Sequence, residues 1–114
     1  MKAIIELAKR GSVFDAARAQ LADGAPVDFH LSFESARTLF SELTPARMEL
    51  LETLRRAGPC SIYALAKAAG RNYSNVHTDV ARLLDLGLVE RQNDETVFVP
   101  FEAIEIRMPL PLAA

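Results

Sequence analysis

The most regular hydrophobic pattern of the chain lies between residues 44 and 87, where apolar positions recur every three or four residues. This spacing places them on one face of an α-helix. Thr44 is suited to the N-cap of a first helix, and Pro45 fits its first helical position, where a missing N–H costs nothing. Its apolar stripe consists of Leu50, Leu51 and Leu54, and Gly58-Pro59 ends it.

Two further helices follow at close intervals. Ser61 caps a short alanine-rich helix, Ile62–Ala69, which Gly70 ends. The turn Gly70-Arg71-Asn72 then leads to a longer helix over about Tyr73–Leu86. At 100° per residue, one set of its side chains falls within about 60° of a single line. This predicted buried face consists of Tyr73, Val76, Val80, Leu83, Leu84 and Gly87.

Segments with alternating or β-prone residues surround this helical block. Leu88–Arg91 and Thr96–Val99 flank a polar tip, 92–95, and predict a β-hairpin. Ala103–Met108 alternates and predicts another strand.

The N-terminal part is less regular, and Met1–Leu7 fits a strand or a helix. Ser12 opens a predicted helix that Gly24 ends, and Phe29–Phe33 alternates as a short strand. Glu34–Leu43 predicts a short helix. Its inward side chains would be Ala36, Leu39, Phe40 and Leu43.

These elements predict a mainly α fold with a small β-hairpin wing, arranged as a winged helix-turn-helix. We expect an N-terminal segment at 1–42, which would serve in dimerisation or partner contact, a DNA-binding domain at 43–108 and a tail at 109–114. In such a domain the second helix braces the third, which lies in the major groove of DNA.

The face opposite the Val76–Leu84 stripe carries hydrogen-bonding side chains that could read base edges. Asn can pair with adenine, Arg with guanine, and Thr can offer its methyl group to thymine. The candidates on or beside this helix are Arg71, Ser74, Asn75, Thr78 and Arg82. The alternative interpretation is a solvated polar helix face; the short helix before it and the hairpin after it favour DNA binding.

Three neighbouring residues, Lys67, His77 and Arg91, complete the set of eight candidates, and structural roles are expected for Asp79 and Cys60. Lys67 is expected near a phosphate, and Arg91 is the main candidate for contact from the wing. His77 could reach a phosphate or pack half-buried against the wing, and packing is the favoured role. We expect Asp79 to contact Arg82 or a nearby backbone group, and Cys60 to be a small buried hydrophobe.

Composition sets broad limits on function. The 114 residues carry a formal net charge of -2, which argues mildly against nucleic acid, although residues 66–82 are locally basic. No apolar run approaches the roughly 20 residues of a membrane span, and the one cysteine fits a cytoplasmic protein. Two histidines and one cysteine provide no metal-ligand spacing. No catalytic motif is present, so we expect neither an enzyme nor a cofactor.

Several stretches taken together resemble small prokaryotic winged-helix regulators. They are Leu43–Leu51, Gly58-Pro59, Ser61–Ala66, Gly70–Val80 and Leu86–Arg91, and the resemblance covers roughly residues 33–108. Such proteins are MarR-like in their helix-turn-helix, and some are antitoxins paired with a small toxin. The long dimerisation helices of full-size MarR proteins are missing, so no small-molecule inducer is expected.

The resemblance implies a DNA-binding repressor that acts as a homodimer on double-stranded DNA. Recognition would fall to Ser74, Asn75, Thr78 and Arg82, with Arg71 and Lys67 near phosphates. We expect the N-terminal segment and the strand at 103–108 to form the dimer surface. The alternative function is a protein-interaction module, such as an antitoxin that neutralises a toxin and regulates its own operon.

Overall fold

The computed structural model describes residues 1–7 and 27–110. The helix expected from Ser12 to Gly24 lies outside the described residues. The chain divides into two compact units. The first combines Met1–Glu42 with Phe101–Ala114, and the second is Leu43–Pro100.

The first unit contains a parallel sheet of three strands, β1 (Lys2–Leu7), β2 (Phe29–Phe33) and β5 (Ala103–Arg107). Strand β1 is central, and Ala3 is in register with Phe29 on one side and Ile104 on the other. Ala3, Ile4 and Ile5 are all buried, as expected for a central parallel strand covered on both faces. Met1–Leu7, which fits either a strand or a helix by pattern, is therefore a strand.

A short helix, α1 (Ala36–Glu42), contacts β2 in this unit. Leu39 and Phe33 are buried, and the rings of Phe29 and Phe101 stack with centroids 5.5 Å apart. Leu43 is buried as expected, and Ala36 is half-buried. The inward position predicted for Phe40 is wrong, because its side chain is 56% exposed. Phe40 lies about 100° around the helix from Leu39, and so short a helix buries only a narrow stripe.

The second unit begins with three helices, α2 (Pro45–Ala57), α3 (Ile62–Ala69) and α4 (Tyr73–Leu86), which confirm the predicted ranges. Thr44 Oγ1 accepts from the backbone N–H of Arg47 at 3.2 Å, and Ser61 Oγ accepts from that of Ala64 at 3.0 Å. Both residues therefore act as the expected N-caps. Gly70 and Gly87 end α3 and α4 in the left-handed conformation, at φ 65° and 82°, which favours glycine.

A β-hairpin completes the second unit. Strands β3 (Glu90–Asn93) and β4 (Thr96–Phe98) are antiparallel, with an irregularity between Arg91 and Asn93. Leu88, Val89 and Val97 are buried, which anchors the hairpin in the core of the unit.

Cys60 also belongs to this small sheet. Its backbone N–H donates to Val97 O at 3.1 Å, and its carbonyl accepts from Val97 N at 2.9 Å. Cys60 is half-buried rather than fully buried as expected.

The order helix, helix, turn, helix and hairpin gives the second unit a winged helix-turn-helix topology. The expected mainly α class needs correction, because the first unit adds a parallel sheet that the pattern did not indicate. The expected boundary at 108 also differs from the structure. Strand β5 pairs with β1, so the second unit ends at Pro100.

None of the helices in the described part of the chain combines the length and apolarity of a membrane span.

Candidate nucleic-acid interface

The rear of α4 is an apolar surface that packs inside the second unit. Val76, Val80 and Leu83 are fully buried, and α4 contacts both α2 and α3. Tyr73 departs from the predicted buried face, since it is 47% exposed and its ring lies 5.9 Å from that of His77. It is the first residue of α4, so the turn of helix that would cover it on the N-terminal side does not exist.

The front of α4 presents three exposed polar side chains near its N-terminal end, Ser74, Asn75 and Thr78. Thr78 Oγ1 donates to the carbonyl of Ser74 at 3.0 Å, which fixes its rotamer and directs its methyl group away from that bond. Within the described chain the side-chain amide of Asn75 has no hydrogen-bond partner. It retains its full capacity to donate and accept.

Asn72, which was predicted only as part of a turn, is the N-cap of α4. Its Oδ1 accepts from the backbone N–H groups of Ser74 at 2.8 Å and Asn75 at 3.3 Å. An asparagine directly before a helix is a favoured N-cap, so the signal was present in the sequence. Because Asn72 already accepts hydrogen bonds from these two backbone N–H groups, a ligand at this end of α4 would contact side chains rather than these backbone groups.

Asp79 joins three elements of the unit. It accepts from Arg47 Nε of α2 at 3.0 Å and from Arg71 Nη2, in the turn before α4, at 2.8 Å. The expected contact between Asp79 and Arg82 is wrong; Arg82 Nη1 lies 3.9 Å from Asp85 Oδ2 instead. Arg47 is 32 residues away along the chain, so local spacing could not indicate this contact.

The two arginines set the ionisation of Asp79. Partial burial raises the pKa of its carboxyl group through desolvation, but hydrogen bonds and charge from Arg71 and Arg47 lower it more. The pKa of Asp79 therefore lies below its ordinary value, and the carboxylate stays charged at neutral pH.

Arg71 is less open than expected for a residue that contacts a phosphate. One terminal nitrogen, Nη2, bonds Asp79, and Nη1 is buried without a hydrogen-bond partner. Its side chain borders a depression of about 420 Å³ that Asn75 and Thr78 also line. The structure thus brings Arg71 beside the front face of α4, with Asp79 limiting its direction.

A second depression lies between the start of α3, the start of α4 and the hairpin. Tyr63, Tyr73, His77 and Arg91 line it together with the acidic pair Asp94 and Glu95. His77 is exposed, which corrects the half-buried packing role expected for it. Arg91 is exposed too, and its Nη1 lies 3.5 Å from the carbonyl of Asp94.

Comparison with known proteins assigns the chain to a family. The family model HVO_A0114 matches residues 42–106, which is more than half of the chain. The chain belongs to the HVO_A0114 family. No curated protein matched the chain. Among solved structures it is similar to NolR from Sinorhizobium fredii, at 19% identity and a TM-score of 0.46 over 83% of this chain and 84% of that one.

In this HVO_A0114 family member, the eight predicted site residues fall into separate groups. Ser74, Asn75 and Thr78 share the front of α4, and Arg82 follows Thr78 one turn later on the same helix. Lys67 is exposed on α3, whereas His77 and Arg91 face the depression beside the hairpin. Tyr63, at 65% exposure, was not predicted as part of the site. The only indication in the sequence that Tyr63 belongs to the site was its position on the outer side of α3.

Charge in the second unit is balanced rather than basic. The span 43–100 contains seven basic and seven acidic residues. Asp79 is neutralised by two arginines, and Glu52 pairs with Arg56 at 3.2 Å. Lys67, which is exposed in the last turn of α3, is one of the seven basic residues of this span.

Proposed function

We propose that this chain binds double-stranded DNA through the front face of α4 and acts as a transcriptional regulator rather than as an enzyme. The observation that carries the proposal is the two-sided character of α4. Its rear is fully buried at Val76, Val80 and Leu83, while its front exposes Ser74, Asn75 and Thr78. A helix held in this way can enter a major groove without exposing apolar core residues.

The exposed side chains match the chemistry of base edges. The side-chain amide of Asn75 can donate to and accept from one adenine, and the methyl group of Thr78 can contact a thymine. Arg82, with 41% of its side chain exposed, has the guanidinium that pairs with guanine. These three residues would supply sequence preference.

Other residues would hold the DNA backbone. Lys67 is exposed on the helix that braces α4, and its ammonium group can approach a phosphate without an acidic partner in the described chain. Arg91 extends from the hairpin. Arg71 would contribute less, because Asp79 already holds one side of its guanidinium group.

The balanced charge shapes the expected binding. Affinity that depends on phosphate neutralisation grows with the number of cations at the interface. Few unpaired cations mean weak non-specific binding, so recognition must depend more on base contacts or on a second binding site. Dependence on base contacts and dependence on a second binding site both suit a regulator that acts at a small number of DNA sites. Repression of its own promoter is the simplest case.

The test is selection from a random duplex library, followed by affinity measurement on the selected site at several salt concentrations. Asn75→Ala should lose about 1–3 kcal/mol on the selected site and little on random DNA. Lys67→Ala should weaken both equally and reduce the salt slope by about one. Arg56→Ala, which removes an exposed arginine paired with Glu52, is the charge-matched control. No enrichment in the selection, or equal losses for all three variants, would contradict DNA recognition by α4.

A protein partner is the second candidate. The depression beside the hairpin carries two exposed tyrosines, Tyr63 and Tyr73, next to the acid groups of Asp94 and Glu95. Exposed tyrosines are enriched in protein interfaces, and acid groups repel DNA. An antitoxin would combine both activities. Co-purification with the product of an adjacent small reading frame, lost in Tyr63→Ala but kept in Asn75→Ala, would support this candidate.

A further inference from the structure

Strand β5 lies at the edge of the parallel sheet. In the described chain its strand partner is β1, and nothing pairs with it on the other side. An edge strand presents N–H and C=O groups that can pair with another strand. Ile106, the fourth of the five residues of β5, is 44% exposed although it is a large apolar residue.

The pattern of apolar and charged residues at this edge is symmetric about Ile106. Ile104, Ile106 and Met108 alternate with Glu105 and Arg107. Alternate residues of a strand point to opposite faces, so Ile104 and Ile106 share one face of β5, and Glu105 and Arg107 share the other. Met108 directly follows β5 and would join the apolar face when the strand is extended by one residue. Such an edge is complementary to an inverted copy of itself.

We propose that two copies of this chain associate by antiparallel pairing of their β5 strands, with the two-fold axis at Ile106. The two three-stranded sheets then become one continuous sheet. Ile106 faces the partner's Ile106, and Ile104 faces the partner's Met108. On the other face, Glu105 meets the partner's Arg107 and Arg107 meets the partner's Glu105.

Charge selects this register over its neighbours. A shift that places the axis at residue 105 would set Glu105 directly opposite the partner's Glu105, and a shift to 107 would oppose two arginines. Like charges directly across a strand pair are destabilising, whereas opposite charges and apolar pairs stabilise. The hydrogen bonds from Lys2 and then Arg107 lower the pKa of Glu105, so its charge is present at neutral pH.

The other edge of the sheet lacks this complementarity. Strand β2, Phe29–Phe33, contains no acidic residue and no pair of opposite charges, and Phe33 is buried. The partner that fits β5 is therefore a second copy of this chain. Of the two edges of the sheet, β5 rather than β2 has the complementary pattern. The association does not depend on DNA binding. In the proposed function, a dimer would present two recognition helices to two half-sites, because a single recognition helix rarely gives enough affinity.

Cysteine cross-linking tests the register directly. In the full chain with Cys60→Ser, the substitution Ile106→Cys places two thiols across the axis, where the Cα atoms of facing residues are about 4.5–5.5 Å apart. That separation suits a disulfide. The matched control is Ile104→Cys, whose two copies would be about 13 Å apart along the strands. Mild oxidation should link most of the first variant and little of the second.

Charge exchange gives an independent test in sedimentation equilibrium. Glu105→Arg alone and Arg107→Glu alone should each raise the dimer Kd by at least about tenfold, because each places like charges in contact. The double exchange should restore most of the affinity. Circular dichroism checks that each variant is folded.

The opposite results would overturn the proposal. They are a wild-type chain that remains monomeric at high micromolar concentration, equal cross-linking at residues 104 and 106, or a dimer that cross-links through Leu31→Cys on β2 instead. Loss of DNA binding in a chain that still cross-links at 106 would count against the proposed function alone.

Discussion

Asp79 and Arg71 are joined by a 2.8 Å bond between Oδ2 and Nη2, one helical turn from the residues proposed to read DNA. The bond ties the turn before α4 to the middle of α4, and the bond from Arg47 to the same carboxylate ties both to α2. Asp79 therefore connects α4 to α2 and to the turn before α4.

Asp79→Asn should destabilise the chain by about 1–3 kcal/mol, because two partly buried arginines lose their charged acceptor. Urea denaturation at pH 7 measures the change. Asp85→Asn is the matched control, since Asp85 is 72% exposed and 3.9 Å from Arg82, and it should change stability little. Equal losses in the two variants would show that the network around Asp79 contributes nothing special.

The same network predicts a dependence on acid. The pKa of Asp79 is lower in the folded chain than its ordinary value of 3.8, so its stabilisation is complete above that value. As pH falls from there through the folded pKa, the carboxylate takes up a proton and the stabilisation is lost. The difference in unfolding free energy between wild type and Asp79→Asn should therefore shrink below about pH 4. A difference that stays constant to lower pH would contradict this assignment.

Asn72→Ala should cost about 1 kcal/mol, because two backbone N–H groups at the start of α4 lose their acceptor. Thermal unfolding followed by circular dichroism measures it. Gln92→Ala, at an exposed position of β3, provides the comparison and should be nearly neutral. DNA affinity should fall in Asn72→Ala as well, since the first turn of α4 carries Ser74 and Asn75.

Leu83→Ala should destabilise the second unit by about 2–5 kcal/mol, because Leu83 is fully buried and its removal leaves a cavity. Leu110→Ala, at 82% exposure, is the control and should change stability by less than about 0.5 kcal/mol. If both variants unfold at the same denaturant concentration, the packing assigned to α4 is wrong.

Cys60 should react slowly with thiol reagents. Burial raises the pKa of its thiol above the ordinary value of 9.0, which reduces the thiolate fraction near neutral pH. The rate of modification by a disulfide reagent at pH 8 should be at least about threefold lower in the folded chain than in urea. A faster reaction when folded would instead indicate an activated cysteine.

Local signals predicted the second unit well. The caps at Thr44 and Ser61, the glycines at 70 and 87 and the helical spacing of Val76 and Val80 are all properties of neighbouring residues. Each is readable because the physical cause acts over a single turn of helix. The hairpin follows from two β-prone runs around a polar tip for the same reason.

Contacts between distant residues were not predictable. Nothing near Asp79 indicates that Arg47 is its partner, and the alternation of Ala103–Arg107 predicts a strand without indicating β1 as its neighbour. Exposure at the ends of elements was misjudged too. Tyr73 and Phe40 fit a helical stripe by angle, but no part of their own unit covers them fully.

The placement of β1 and β5 in one sheet has a consequence for how the chain is made. Leu43–Pro100 is a continuous insertion between two parts of the first unit. During synthesis the inserted helices and hairpin leave the ribosome before residues 103–107. They can therefore begin to fold before β5 is available to pair with β1. The pairing of β1 with β5 joins residues about a hundred positions apart, and contacts of such long sequence separation generally form slowly. We expect a chain truncated before residue 103 to leave one edge of β1 unpaired and prone to aggregation.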